Sequence, residues 1–247
     1  MARVRLKSTD TAQEEPSMAA LVGEDDGAPS IESRLHRTML HLPEAIQTAS
    51  GIVVSGRRIR SLLFSTDVAI IRNCDADAVF CVYPFIAQRA VSAAVIHAAS
   101  MPVFVGVGGG VTQGTRAVYL AMDAENQGAM GVVLNAPIPN KDLRTAARIL
   151  DVPIVVTVPT EKIDVARRIS NGATILNVAG GAKTPDLVAK IRESFPKVPI
   201  IASGGPTNET IAATIDAGAN AIVYTPPSSA EPFRPVMDSY RDEGDAS

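Results

Sequence analysis

The chain has 247 residues, a formal net charge of −3, 46% hydrophobic and 20% charged residues, six phenylalanines, four tyrosines and no tryptophan. That composition supports a sizeable core, and without a basic stripe or interleaved aromatics it argues against a nucleic-acid-binding face. No apolar run approaches the roughly 18 residues that span a bilayer, and the N-terminus has no continuous apolar segment of the secretory kind, so a soluble, cytoplasmic protein without membrane partners is expected.

Residues 1–30 are polar and turn-rich, as in Lys7-Ser-Thr-Asp-Thr-Ala-Gln-Glu-Glu-Pro16, and read as a disordered arm; residues 241–247 read as a disordered tail. Between them, residues 31–240 read as one domain. Ile31, Leu35, Met39, Leu42 and Ile46 recur at steps of three and four and predict a helix over 31–50, capped by Ser30 and disturbed by Pro43. Ile52-Val-Val54 followed by Ser55-Gly56 predicts a hairpin that closes one end of the fold.

A regular alternation follows. Apolar runs rich in Val and Ile fall at 59–64, 78–83, 102–107, 131–135, 153–158, 173–178, 199–202 and 221–224, and suit strands of a parallel sheet buried on both faces. Segments of helical period lie between them at 88–99, 114–127, 141–150, 162–171, 184–194 and 207–217. Pro102, Pro153 and Pro199 lead into strands, while Gly128, Gly172 and Gly218 stand where helices end. Eight such units give a (β/α)8 barrel with an extra N-terminal helix; an open doubly wound sheet is the rival arrangement. The helices at 88–99 and 207–217 face either a second subunit, making a homo-oligomer, or the barrel alone.

In a (β/α)8 barrel, chemistry gathers just after the C-terminal ends of the strands. There the sequence supplies Asp67, Tyr83, Gly108 and Gly109, Asn135, Glu161, Asn177, Gly180, Gly181 and Lys183, then Ser203-Gly204-Gly205, and finally Thr225 with Ser228 and Ser229. Glycine amides, hydroxyls and helix N-termini suit a phosphate or carboxylate, most pointedly Gly204, Gly205, Ser228 and Ser229. The same glycines also serve as plain tight turns. Asp67 and Glu161 are the acid–base candidates, each equally placed to cap a helix. Asn135, Asn177 and Tyr83 are positioned to orient substrate, and Lys183 is either a partner for developing charge or a solvated loop lysine. Asp123 and Glu125 oppose the dipole of their helix and call for a partner such as Arg116 or Arg144.

Several chemistries lack their residues. His36, His41 and His97 all fall on predicted helices, and Cys74 and Cys81 lack paired spacing, so neither a metal nor another cofactor is expected. No lysine lies within a strand for Schiff-base chemistry, and no Gly-x-Ser-x-Gly elbow occurs. Gly108-Gly109-Gly110 has the wrong spacing for a dinucleotide fingerprint.

The half-motif Ile200-Ile-Ala-Ser-Gly-Gly205 with Asp216-Ala-Gly-Ala-Asn-Ala-Ile222 resembles the phosphate-binding half of the ribulose-phosphate-binding barrel superfamily. Val82-Tyr-Pro-Phe85, Val105-Gly-Val-Gly-Gly-Gly110, Asp123-Ala-Glu125, Asn135-Ala-Pro137, Leu176-Asn-Val178 and Tyr224-Thr-Pro-Pro-Ser-Ser229 are similar to a family of bacterial (β/α)8 barrels whose members often carry the label hydrolase. The superfamily resemblance implies an enzyme of lyase or isomerase type acting on a phosphorylated small molecule. The second resemblance implies hydrolysis, and the scarcity of titratable groups near the strand ends leaves a non-catalytic phosphometabolite-binding protein as the third reading.

Overall fold

The computed structural model describes residues 22–25, 28–31, 39–231, 234, 237 and 238. Eight strands close into a barrel: β5 (Ser61–Phe64), β6 (Ala78–Cys81), β7 (Val103–Gly108), β8 (Gly131–Leu134), β9 (Ile154–Val158), β10 (Ile175–Val178), β11 (Ile200–Ser203) and β12 (Ala221–Tyr224). Every neighbouring pair is parallel, and β12 returns to β5 through Ile222↔Ser61 and Val223↔Leu62. The helices between them are α1 (Val68–Arg72), α2 (Arg89–Ala98), α3 (Gly114–Asn126), α4 (Asn140–Ala147), α5 (Val165–Ser170), α6 (Thr184–Ser194) and α7 (Asn208–Asp216). The protein is a (β/α)8 barrel, and its closed strand order removes the open-sheet alternative.

Alternation along each strand divides the core in two. Leu62, Phe80, Phe104, Val133, Val155 and Ile201 belong to a buried cluster inside the barrel. Their chain neighbours Leu63, Val79, Val105, Val132, Val156 and Ile200 belong to a second cluster between strands and helices. The Val/Ile-rich runs thus form strands because both faces are apolar and both are covered. Helix α7 packs against a 3-10 helix of the same chain (Glu44–Thr48) as well as against β12.

The predicted end-closing hairpin is present as β3 (Ile52–Val54) and β4 (Arg57–Ile59), joined at Ser55 and Gly56, both with positive φ as a tight hairpin turn requires. Ile52, Val54 and Ile59 are buried under the strand N-termini while Val53 is exposed, so the hairpin plugs the end opposite the strand C-termini. Of the helix expected over 31–50, residues 32–38 lie outside the described residues, and over 39–50 it is not formed. Pro43 offers no amide donor, and the described residues contain only the 3-10 helix Glu44–Thr48 and a parallel bridge of Leu40 to Cys74. Ser30 and Ile31 lie instead in β2 (Ala28–Ile31), antiparallel to β1 (Val22–Asp25), within the stretch expected to be an unstructured arm. Residues 1–21, 26–27 and 32–38, and the tail 241–247, lie outside the described residues. No helix among the described residues is long and apolar enough to cross a membrane.

Candidate functional site

The C-terminal mouth of the barrel is built by the same alternation that builds its core. Val133, Val155 and Ile175 point inward, so Asn135, Thr157 and Asn177, each two residues further on, also point inward at the rim. Register sets Thr157 beside Asn177, and the side chains join in a row: Asn177 Nδ2 donates to Thr157 Oγ1 at 3.3 Å, and Thr157 Oγ1 donates to Asn135 Oδ1 at 3.2 Å. Asn177 is only 5% exposed, yet its Oδ1 has no hydrogen-bond partner among the described residues. Leaving a buried acceptor unmade costs about 1–3 kcal/mol. Ser203 continues the polar side from β11, half-buried above Ile201. Across the mouth the inward residues are Phe64 and Val82, with the Phe64 ring 6.4 Å from that of Phe80. One side of the mouth therefore offers neutral amides and hydroxyls, and the other is apolar.

The acidic candidates are held in other work. Asp67 caps α1 through Oδ1, which accepts from the amides of Ala69 at 2.9 Å and Ile70 at 3.3 Å. A hydrogen bond from Ser229 is the largest of the influences that hold its carboxyl below the usual carboxylate value, with the two amides assisting and burial opposing. A carboxylate so stabilised stays ionised but is a weak proton acceptor. Glu161 points along the outside of the barrel, exposed, and pairs with Lys190 of α6 at 2.6 Å. That pairing lowers the Glu161 pKa and raises that of Lys190. Lys183 is exposed at the end of the short 3-10 turn Gly181–Lys183, and its charge also reaches Glu161. The partner expected for Asp123 is neither Arg116 nor Arg144: Asp123 pairs with Arg89 at 3.2 Å and accepts from Gln127, Glu125 accepts from the amide of Asp151, and Arg144 donates to Asn171.

The glycines divide into packing and binding positions. A Cβ on Gly108 would come within 2.6 Å of the Ala117 Cβ, and one on Gly109 within 2.4 Å of the Asn135 backbone nitrogen. These two glycines are therefore demanded by the contact of the β7 loop with α3 and β8. Gly108 borders a small hollow of about 70 Å³, shared with Tyr83 and Asn135. Gly204 is buried where a Cβ would strike Ile222 and Ile211, and Gly205 takes φ +84 with Thr210 behind it. The amides of Gly204, Gly205 and Asn208, the first residue of α7, have no backbone partner among the described residues. Next to them, Thr207 and Thr210 close a reciprocal cap. Gly181 has open space around it, whereas the Gly180 amide already donates to Thr184 Oγ1 at 3.0 Å.

Three more expected contacts are already satisfied inside the chain. The Tyr83 hydroxyl packs toward the helices and accepts from the Gln88 amide at 2.8 Å. Ser228 donates both its amide and its hydroxyl to Glu231, each at 3.3 Å, and the Ser229 side chain faces the Asp67 carboxylate, lowering its pKa. Two carboxylates thus sit where the anion was expected at Ser228 and Ser229. Thr225 is exposed at the rim.

Two residues that matter were not singled out by their sequence. Thr157 links the two asparagines, and it could have been found from the inward alternation of 153–158. Arg168 of α5 donates to the carbonyls of Ala136 and Ile138, both at 2.6 Å, and to Asn140 Oδ1 at 2.7 Å, pinning the loop that follows Asn135. Nothing in its sequence neighbourhood marks it.

The larger cavity, about 860 Å³, lies at the opposite end, under the β3–β4 hairpin. Its main polar groups serve the fold: Arg192 donates to the carbonyls of Pro196, Val198 and Gly218 and to Asn220 Oδ1, and Asn220 also holds Ile200 and Ser50. Size alone does not outweigh the chemistry of the other end. No group of three or more His, Cys, Asp or Glu side chains suited to a metal ion occurs among the described residues.

No protein-family model matches the chain, and no curated protein matches it. Solved structures do. A phosphoenolpyruvate phosphomutase from Streptomyces platensis subsp. rosaceus superposes with a TM-score of 0.59 at 12% identity, over 80% of this chain and 84% of that one. A phosphonopyruvate hydrolase in complex with oxalate and Mg2+ gives 0.59 at 16% identity, over 76% and 83%. A 2,3-dimethylmalate lyase of the PEP mutase/isocitrate lyase superfamily gives 0.56 at 12%, over 81% and 81%. At such identities the likeness is one of fold, and it does not single out the ribulose-phosphate-binding superfamily. The chain shares the (β/α)8 architecture of lyase- and mutase-type enzymes, with its polar rim at the strand C-termini where such barrels carry out their chemistry.

Proposed function

We propose that the protein is an enzyme that binds a small phosphorylated or carboxylated metabolite at the C-terminal mouth and moves a proton on it, in lyase or isomerase chemistry. The observation that carries this reading is the buried, unpartnered Oδ1 of Asn177, in a row of neutral hydrogen-bonding groups close in the strand order to the free amides beyond β11. Gly204, Gly205 and Asn208 would take the anionic group, at the positive end of α7. Asn135 would donate to a reacting oxygen, and a neutral donor fixed in place stabilises developing negative charge without reorganising, while Asn177 Oδ1 would accept from a donor on the ligand. Of the two acids, Asp67 is the one left to take part, since Glu161 is bound to Lys190 outside the barrel. Lys183 remains the nearby cation. The names of the similar barrels, which refer to phosphoenolpyruvate, phosphonopyruvate and dimethylmalate, support small acids as the class of substrate.

A second reading, a binding protein without turnover, is favoured by one observation: both acids are hydrogen-bonded and held below the ordinary carboxyl range. The test is thermal melting in the presence of inorganic phosphate, three-carbon phosphates and small carboxylates, followed by an assay for solvent-proton exchange into any ligand that binds. A ligand at 100 times its Kd adds about 2.7 kcal/mol of stability and should raise Tm visibly. Replacing Asn208 with Pro removes one amide donor at a position where proline suits a helix, and should reduce the phosphate-induced shift. Melting unchanged by every anionic compound would overturn the reading, and binding without proton exchange would leave the non-catalytic one.

A further inference from the structure

The three side chains at the polar rim constrain the ligand more closely than its charge does. A hydroxyl carries a single proton. Thr157 Oγ1 lies within hydrogen-bond distance of both asparagines, 3.2 Å from Asn135 and 3.3 Å from Asn177, so it donates to one and accepts from the other. It follows that the two amides cannot present the same group to the mouth. As arranged, Asn177 turns its Oδ1 away from Thr157, buried and without a partner, and Asn135 turns its Nδ2 away. Were both amides turned over together, the donor and acceptor would change places, and there would still be one of each.

We propose that this pair reads an α-hydroxy carbonyl group in the ligand, with the carbonyl oxygen accepting from one asparagine and the adjacent hydroxyl donating to the other. A carbonyl alone would leave the buried acceptor of Asn177 unmade, and a phosphate or carboxylate, having only acceptors when ionised, would do the same. A hydroxyl beside the carbonyl satisfies both groups. Phe64 and Val82 across the mouth give the carbon chain an apolar wall. Thr157 is here a positioning residue: it touches no substrate and acts by keeping the two amides in opposite orientations.

The inference rests on the anionic metabolite proposed above, and the experiment separates the two. Calorimetric Kd values are measured for two matched pairs that differ in the hydroxyl beside the carbonyl, dihydroxyacetone phosphate against hydroxyacetone phosphate and hydroxypyruvate against pyruvate, with inorganic phosphate alongside. The wild type should favour the hydroxy carbonyl member of each pair by tenfold or more. Thr157→Val should bring that ratio toward one while leaving the Kd for inorganic phosphate within twofold, and Asn177→Leu should abolish the preference. Equal affinity within both pairs, with anions still bound, would overturn the α-hydroxy carbonyl assignment and leave the anion site standing. Failure of every compound to bind would remove both.

Discussion

Asp67 shows how one side chain can be both a helix cap and a candidate acid. It stands after the first barrel strand, where its Oδ1 caps α1, and the Ser229 side chain beyond the last barrel strand is the main influence lowering its pKa. Its folded pKa lies below the ordinary value of 3.8, so its contribution to stability is fully present above that value and is lost as pH falls through the lower, folded one. Asp67→Asn keeps a good capping residue but cannot titrate. Urea unfolding from about pH 7 down to about pH 2.5 should show wild type more stable than Asp67→Asn above the ordinary carboxyl value, with the difference disappearing in acid. A difference independent of pH would mean that the carboxylate gains nothing from Ser229. Replacement by Ala should cost about 1 kcal/mol at neutral pH through loss of the cap.

The barrel's elements were legible because each carries its own local signal. Val/Ile runs flanked by Pro and Gly set strands and helices, and β12 and α6 begin and end where their patterns do. What sequence could not supply were partners from distant elements. Glu161 looked like a mouth acid because Lys190, 29 residues later, is invisible as its partner until α6 is laid beside it. Gly108 and Gly109 stood among the anion-binding candidates because nothing local announces that Ala117 and the Asn135 backbone pack against them. Asn135 and Asn177 were placed at the mouth by position alone, and Thr157, which links them, needed only the inward alternation to be followed one strand further. Arg168 belongs to the same class of hidden partner: α5 reaches over to fix the β8–α4 loop with three hydrogen bonds. Arg168→Met removes all three, and should cost about 2 kcal/mol in denaturant unfolding and weaken ligand binding by freeing the segment after Asn135. A variant with unchanged stability and affinity would show that this clamp positions nothing.

The two ends of the barrel divide the protein's work. At the strand N-termini the β3–β4 hairpin closes the core, and the roomy cavity beside it is edged by Arg192 and Asn220, whose hydrogen bonds tie loops together. At the strand C-termini the space is tighter, but it holds the buried acceptor without a partner and the free amides before α7. Arg60 Nε, next to the hairpin, is also buried without a partner among the described residues, but at the mouth the unmade acceptor belongs to a row of linked polar side chains. Crystals soaked with whichever phosphorylated three-carbon compound raises Tm the most would locate the ligand outright. The account predicts density between the Asn135–Thr157–Asn177 row and the amides of Gly204, Gly205 and Asn208. Density under the hairpin, against Arg192 and Lys197, with the mouth empty, would contradict it.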